Sequence, residues 1–155
     1  MARSATAVEL DQLTENIRTN ARAQGLQDSI IDKLERNGPV ITVLDDSGNA
    51  LFVAGSLGAI VRHESDRGFV PARVISALAF VGLGERAPVE DLQLYSDARG
   101  EGRRSYQLID VLDVDGDGVA EVVIASNGYE GWGYQLYEYG MNGWQMTYRN
   151  TVGGC

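Results

Sequence analysis

Two hydrophobic periods divide the chain. From Thr6 to Asn37 apolar residues recur at helical spacing, whereas after Pro39 they come in short runs broken by Gly, Asn and Asp. In the first part Leu10, Leu13, Ile17 and Ala21 share one face, and Thr6 followed by Glu9 has the form of a capping box. Gly25 breaks the stripe, and Leu26, Ile30, Ile31 and Leu34 resume it. Asn37-Gly38-Pro39 stops it, since a left-handed cap residue is followed by a ring that cannot continue a helix. The spacing predicts a helical segment over about residues 6–37.

The second part reads as strands. Val40 to Leu44 and Leu51 to Ala54 flank the turn Asp45-Asp46-Ser47-Gly48-Asn49 as a hairpin. Ala59 to His63, Arg73 to Gly82 and Leu92 to Ser96 follow, although RVISALAFVG also suits a buried helix. Ser105 to Leu112, Ala120 to Ala125, Gly133 to Tyr139 and Trp144 to Thr151 complete the set. In the last of these, Trp144, Met146 and Tyr148 alternate with Gln145, Thr147 and Arg149, the period of a half-buried strand. The expected fold is mainly β, with antiparallel blade-like sheets (a partial propeller or small β-sandwich) behind an N-terminal α-helical segment. One internal echo stands out: VLDDSGNALFVAGS from Val43 aligns with VLDVDGDGVAEVVIAS from Val111 if the first turn is two residues shorter.

Length and composition narrow this picture. A chain of 155 residues with 44% hydrophobic and 23% charged residues can bury a core. The expected division is a helical segment at 1–38 and a β domain at 39–155. A net charge of −9 argues against nucleic acid and anionic membrane surfaces as partners. No apolar run approaches the ~20 residues of a membrane-spanning helix. The opening MARSATAVELDQLTEN turns acidic where a secretory leader would be apolar, so the expectation is a cytosolic chain or the mature or C-terminal piece of a longer one.

The densest chemistry is DVDGDGVAE, Asp113 to Glu121, with four carboxylates in nine residues between two apolar runs. Counting Asp113 as position 1, acids stand at 1, 3, 5 and 9. Calcium takes about six to eight oxygens, and alternate residues of a tight loop can turn three carboxylates inward. Gly116 and Gly118 permit positive φ, the Val119 carbonyl supplies a further oxygen, and Glu121 reaches back from the next strand. Position 12, where an EF-hand needs an acid, is Ile124, and neither flank is helical. The expected ligands are therefore Asp113, Asp115, Asp117, Val119 and Glu121 around Ca2+, in a loop between strands.

This loop resembles the FG-GAP and VCBS-type calcium-binding repeats of integrin α-subunit propellers and many bacterial surface proteins. The matching residues are Asp113, Asp115, Asp117, Gly118, Val119 and Glu121, then the strand Val122-Val123-Ile124. Glu121 stands where that family more often has Asp. The likeness extends over about residues 105–150 and includes GYEGWGYQLYEYGMNGWQ. It implies a calcium-bearing propeller-type blade, and a weak extracellular-type site filled outside the cell or in the periplasm.

Other candidates are weaker. Tyr129 and Trp132 lie in a Gly-rich loop and are candidates for contact with a glycan or protein partner. A nucleophilic triad would need His63, the only histidine, and Cys155 is the last residue, so catalysis is not expected. The functional expectation is a calcium-binding structural or interaction module serving binding or adhesion at a bacterial surface or in the periplasm. A carbohydrate-binding module and a small hydrolase or inhibitor are the alternatives.

Overall fold

The computed structural model describes residues 1–61, 73–84, 91–99, 104–116, 120–128, 131–140 and 142–152. The protein is mainly β, built from two antiparallel sheets with helices at the N-terminal end. The first sheet runs β1 (Ala2–Ser4), β3 (Ile41–Leu44), β4 (Ala50–Val61), β5 (Arg73–Gly82) and β6 (Leu92–Arg99), with β2 (Glu35–Arg36) also paired to β4. The second runs β7 (Arg104–Leu112), β8 (Glu121–Gly128), β9 (Trp132–Gly140) and β10 (Gly143–Val152) in chain order.

Helix α1 (Ala7–Ala23) starts as its sequence dictates. Thr6 accepts the Glu9 backbone N–H and the Glu9 carboxylate accepts that of Thr6, a complete capping box. The same carboxylate takes two bonds from the Arg3 guanidinium, at 2.8 and 2.7 Å, and one from the Thr42 hydroxyl at 2.9 Å. Glu9 thus ties β1, the helix start and β3 together. Its pKa falls to about 2, first because of the Arg3 bond and then because of the backbone and hydroxyl donors, against the opposing effect of burial.

The helical stretch is shorter than the spacing suggests. A left-handed Gly25 ends α1, α2 covers only Asp28–Ile31, and residues 35–36 pair with Gly58 and Leu57 of β4 instead. Backbone pairing to an existing strand outcompetes one more helical turn. Leu26, Ile30, Ile31 and Leu34 are nevertheless all buried, so the stripe was sound where the conformation was not.

Strands β4 and β5 are buried on both faces. Val53, Leu57, Val61, Ile75, Ala77 and Ala79 meet the helices, while Phe52, Ala54, Leu78 and Phe80 meet the second sheet. Two-sided burial explains the small, unbroken texture of RVISALAFVG, which is a strand and not a helix. It also explains why residues 51–54 and 59–61 are one strand and not two. Gly55 does not break β4; a Cβ there would lie 2.7 Å from Leu13 Cδ2, so glycine lets α1 approach the sheet.

The sheets meet along β7, the edge of the second sheet. Its outward backbone is answered by two buried serines of the first. Ser76 Oγ accepts the Tyr106 N–H at 2.7 Å and donates to the Tyr106 carbonyl at 3.2 Å. Ser56 Oγ donates to the Asn37 carbonyl and accepts the Leu108 N–H at 3.5 Å. Trp144 closes this interface, with ring centroids 5.5 Å from Phe52 and 4.9 Å from Phe80.

The alternation expected along the last strand does not persist. Trp144 is half-buried, but Met146 and Tyr148 are 49% and 51% exposed. A register shift between them moves Tyr148 opposite Leu136, on the other face from Met146, and β10 lies at the sheet's edge.

Two outcomes follow. Phe80→Ala removes a ring that touches both Phe52 and Trp144 and is expected to cost about 3–5 kcal/mol in urea unfolding, with an unchanged m-value. For Glu9, a depressed carboxylate contributes stability that is complete above its unfolded value, near 4.5, and is lost as pH falls toward 2. The melting-point deficit of Glu9→Gln should therefore be largest above about pH 5 and shrink toward pH 2. A deficit independent of pH would refute this assignment.

Candidate metal centre

The two chain halves place equivalent turns at equivalent points. β3–β4 and β7–β8 are each the first hairpin of a four-strand antiparallel meander, β3 to β6 and β7 to β10. In the first turn Asp45 Oδ1 accepts the N–H groups of Ser47 (2.9 Å) and Asn49 (2.8 Å). In the second, Asp113 Oδ1 accepts that of Gly116 at 2.6 Å. The aligned glycines 48 and 116 have φ of 83° and 82°, which favours glycine at both. Phe52 and Val122, aligned beyond the turns, enter the same core. The sequence echo thus coincides with a like topology, with left-handed glycines at the turns and with burial of Phe52 and Val122. The aspartates of the two turns accept from different backbone N–H groups.

The acid content also differs. In the second turn Asp113, Asp115 and Glu121 each present a carboxylate oxygen, all within 4.8 Å of one another. Asp113 and Asp115 are exposed, whereas Glu121, the first residue of β8, is only 5% exposed. The Glu121 carboxylate accepts the Val114 N–H at 2.7 Å, which fixes it beneath the loop. At the aligned position the first turn carries Leu51, so it lacks this buried oxygen donor.

Like charges at this spacing repel by about 1 kcal/mol per pair under full aqueous screening and by roughly 3–4 kcal/mol at an effective dielectric of 20. An all-oxygen donor set with one buried member suits a hard divalent cation of the calcium type. Asp117 and Val119, expected to complete the shell, lie outside the described residues, as do Tyr129, His63 and Cys155. Trp132 opens β9 and is 46% exposed. Its neighbour is Tyr134, perpendicular to it with centroids 5.6 Å apart. Sequence reasoning passed over Tyr134 as a surface residue because it sits inside a strand; its two-residue spacing from Trp132 was the available signal.

A shallow groove of about 590 Å³ runs between α1 and the β5–β6 part of the first sheet, past Gln12, Glu15, Asn16, Thr19 and Gln93. Two of its amides are engaged: Gln93 donates to Asn16 at 2.8 Å and Asn16 to Asp91 at 3.2 Å, fastening helix to sheet.

Among known proteins, no family model, no curated protein and no solved structure matches this chain.

The Asp113–Gly116 bond can be separated from the charge it carries. Asp113→Asn keeps an acceptor and removes a charge, while Asp113→Ala removes both. In chelator the asparagine variant should unfold about 2–4 °C above the alanine variant, for a bond contributing about 1 kcal/mol. Equal melting points would mean that the bond contributes nothing.

Proposed function

We propose that the chain is a calcium-binding structural and interaction module, in which a divalent cation fastens the β7–β8 connection and the sheet surfaces carry binding. The observation that carries this reading is the convergence of Asp113, Asp115 and buried Glu121 to within 4.8 Å on one strand connection. Three carboxylates held that close gain from a cation that the unfolded chain binds poorly, and the gain appears as stability by mass action. The likeness of DVDGDGVAE to FG-GAP and VCBS-type calcium loops supports the choice of ion. A module of that kind belongs at a bacterial surface or in the periplasm, where calcium is plentiful, and serves binding or adhesion and not catalysis. A second reading, a carbohydrate-binding module, is favoured by one observation: Trp132 and Tyr134 stand exposed side by side.

Thermal unfolding in calcium and in chelator tests the metal reading. With a dissociation constant of about 10⁻⁴–10⁻³ M, 10 mM calcium should stabilise the wild type by roughly 1.4–2.7 kcal/mol, a rise of several degrees. Asp115→Ala and Glu121→Gln should lose most of that rise. A wild type indifferent to calcium, or variants that respond equally, would sink the proposal.

A further inference from the structure

The second sheet has one face on the core; on the opposite face Trp132, Tyr134, Tyr148 and Asn150 are exposed, while Gln107 at the β7 edge is half-buried beside Gly38. Leu108, Val111, Val122 and Ile124 point inward. Strand pairing places the opposite set in rows across the outer face. One row is Asn127, Trp132 and Val152, all exposed. The next is Ala125, Tyr134 and Asn150, with Tyr134 and Asn150 exposed. In these two rows each exposed ring has an exposed asparagine as its direct cross-strand neighbour, Asn127 beside Trp132 and Asn150 beside Tyr134, whereas the exposed Tyr148 of the adjoining row faces Leu136. Ser105 and Gln107 of β7 extend the two rows without adding charge.

The geometry points to this outer face of β8–β10 as a binding platform for a neutral oligosaccharide. The inference rests on reading the chain as a binding module and is independent of the cation. Four considerations select that ligand. A sugar ring offers an apolar C–H face to an aromatic ring and hydroxyls at its rim, and here rings and amides lie side by side at the 4.5–5.5 Å cross-strand spacing of a sheet. The two rows carry no charged side chain although 23% of the chain is charged, and the adjoining row of Asp110, Val123, Leu136 and Tyr148 adds only one, acidic, charge; this suits an uncharged ligand and offers nothing to a polyanion. A dry apolar partner would bury Asn127 and Asn150 without partners, at about 1–3 kcal/mol each. A second copy would bring two chains of net charge −9 together.

Affinity electrophoresis tests this, in native gels containing hydroxyethyl cellulose, xylan, glucomannan or soluble starch, with pectate as an anionic control. At least one neutral polysaccharide should retard the wild type and pectate should not. Trp132→Ala should weaken retardation at least tenfold with little change in melting point, and Tyr134→Ala and Asn150→Ala should weaken it less. Retardation by none of the neutral polymers overturns the inference, as does equal retardation of Trp132→Ala. A dimer in sedimentation that Trp132→Ala dissociates also overturns it, since the face would then belong to a second copy. Running Asp115→Ala in parallel keeps the two proposals apart. If it binds polymer like the wild type while calcium leaves wild-type melting unchanged, the platform stands and the metal reading falls.

Discussion

The arrangement of the sheets depends on how one edge strand is buried. An open edge exposes N–H and C=O groups that water would otherwise satisfy, and covering them without replacement costs about 1–3 kcal/mol apiece. Strand β7 lies against the first sheet, and Ser56 and Ser76 supply hydroxyls for the backbone of Leu108 and Tyr106. A hydroxyl both donates and accepts, so Ser76 serves both polar groups of Tyr106. Larger apolar residues there would deepen the core yet strand those groups.

The first sheet must then serve two interfaces at once. Its middle strands present Val53, Leu57, Ile75 and Ala79 to the helices and Phe52, Ala54, Leu78 and Phe80 to the second sheet, with Gly55 admitting Leu13 and Phe80 meeting Trp144. Glu9 secures the helix layer by joining β1, the cap of α1 and β3 through Arg3, Thr6 and Thr42. The acidic connection and the aromatic face both belong to the second sheet. The proposed cation and the proposed saccharide would therefore act on one sheet at separate places.

Much of this was legible in the residues, for identifiable reasons. Capping chemistry is local, so Thr6 and Glu9 placed the start of α1. Apolar runs between turn residues placed the β3–β4 hairpin and the strands of the second sheet but left RVISALAFVG open between strand and helix. Carboxylate spacing singled out Asp113, Asp115, Asp117 and Glu121, of which Asp113, Asp115 and Glu121 are among the described residues and lie together. Tertiary pairing decided what local pattern could not. Residues 35–36 joined β4, residues 2–4 joined β3, and Gly55 marked a close approach where glycine alone suggested a break. The alternation from Trp144 to Tyr148 was real in sequence, but no sequence signal announced the register shift that undoes it. Tyr134 went unnoticed because a strand tyrosine reads as core unless one knows which face is bare.

The register shift in β10 bears on solubility. A ten-residue strand at the rim of a sheet, exposed over most of its length, is the kind of template on which chains add to one another. Here the ladder is interrupted between Met146 and Tyr148, and Arg149 sets a charge just beyond the interruption. An incoming strand would find two short, mutually offset segments in place of one long straight one. The irregularity that spoils the strand's alternation also guards the open side of the molecule against fibrous growth.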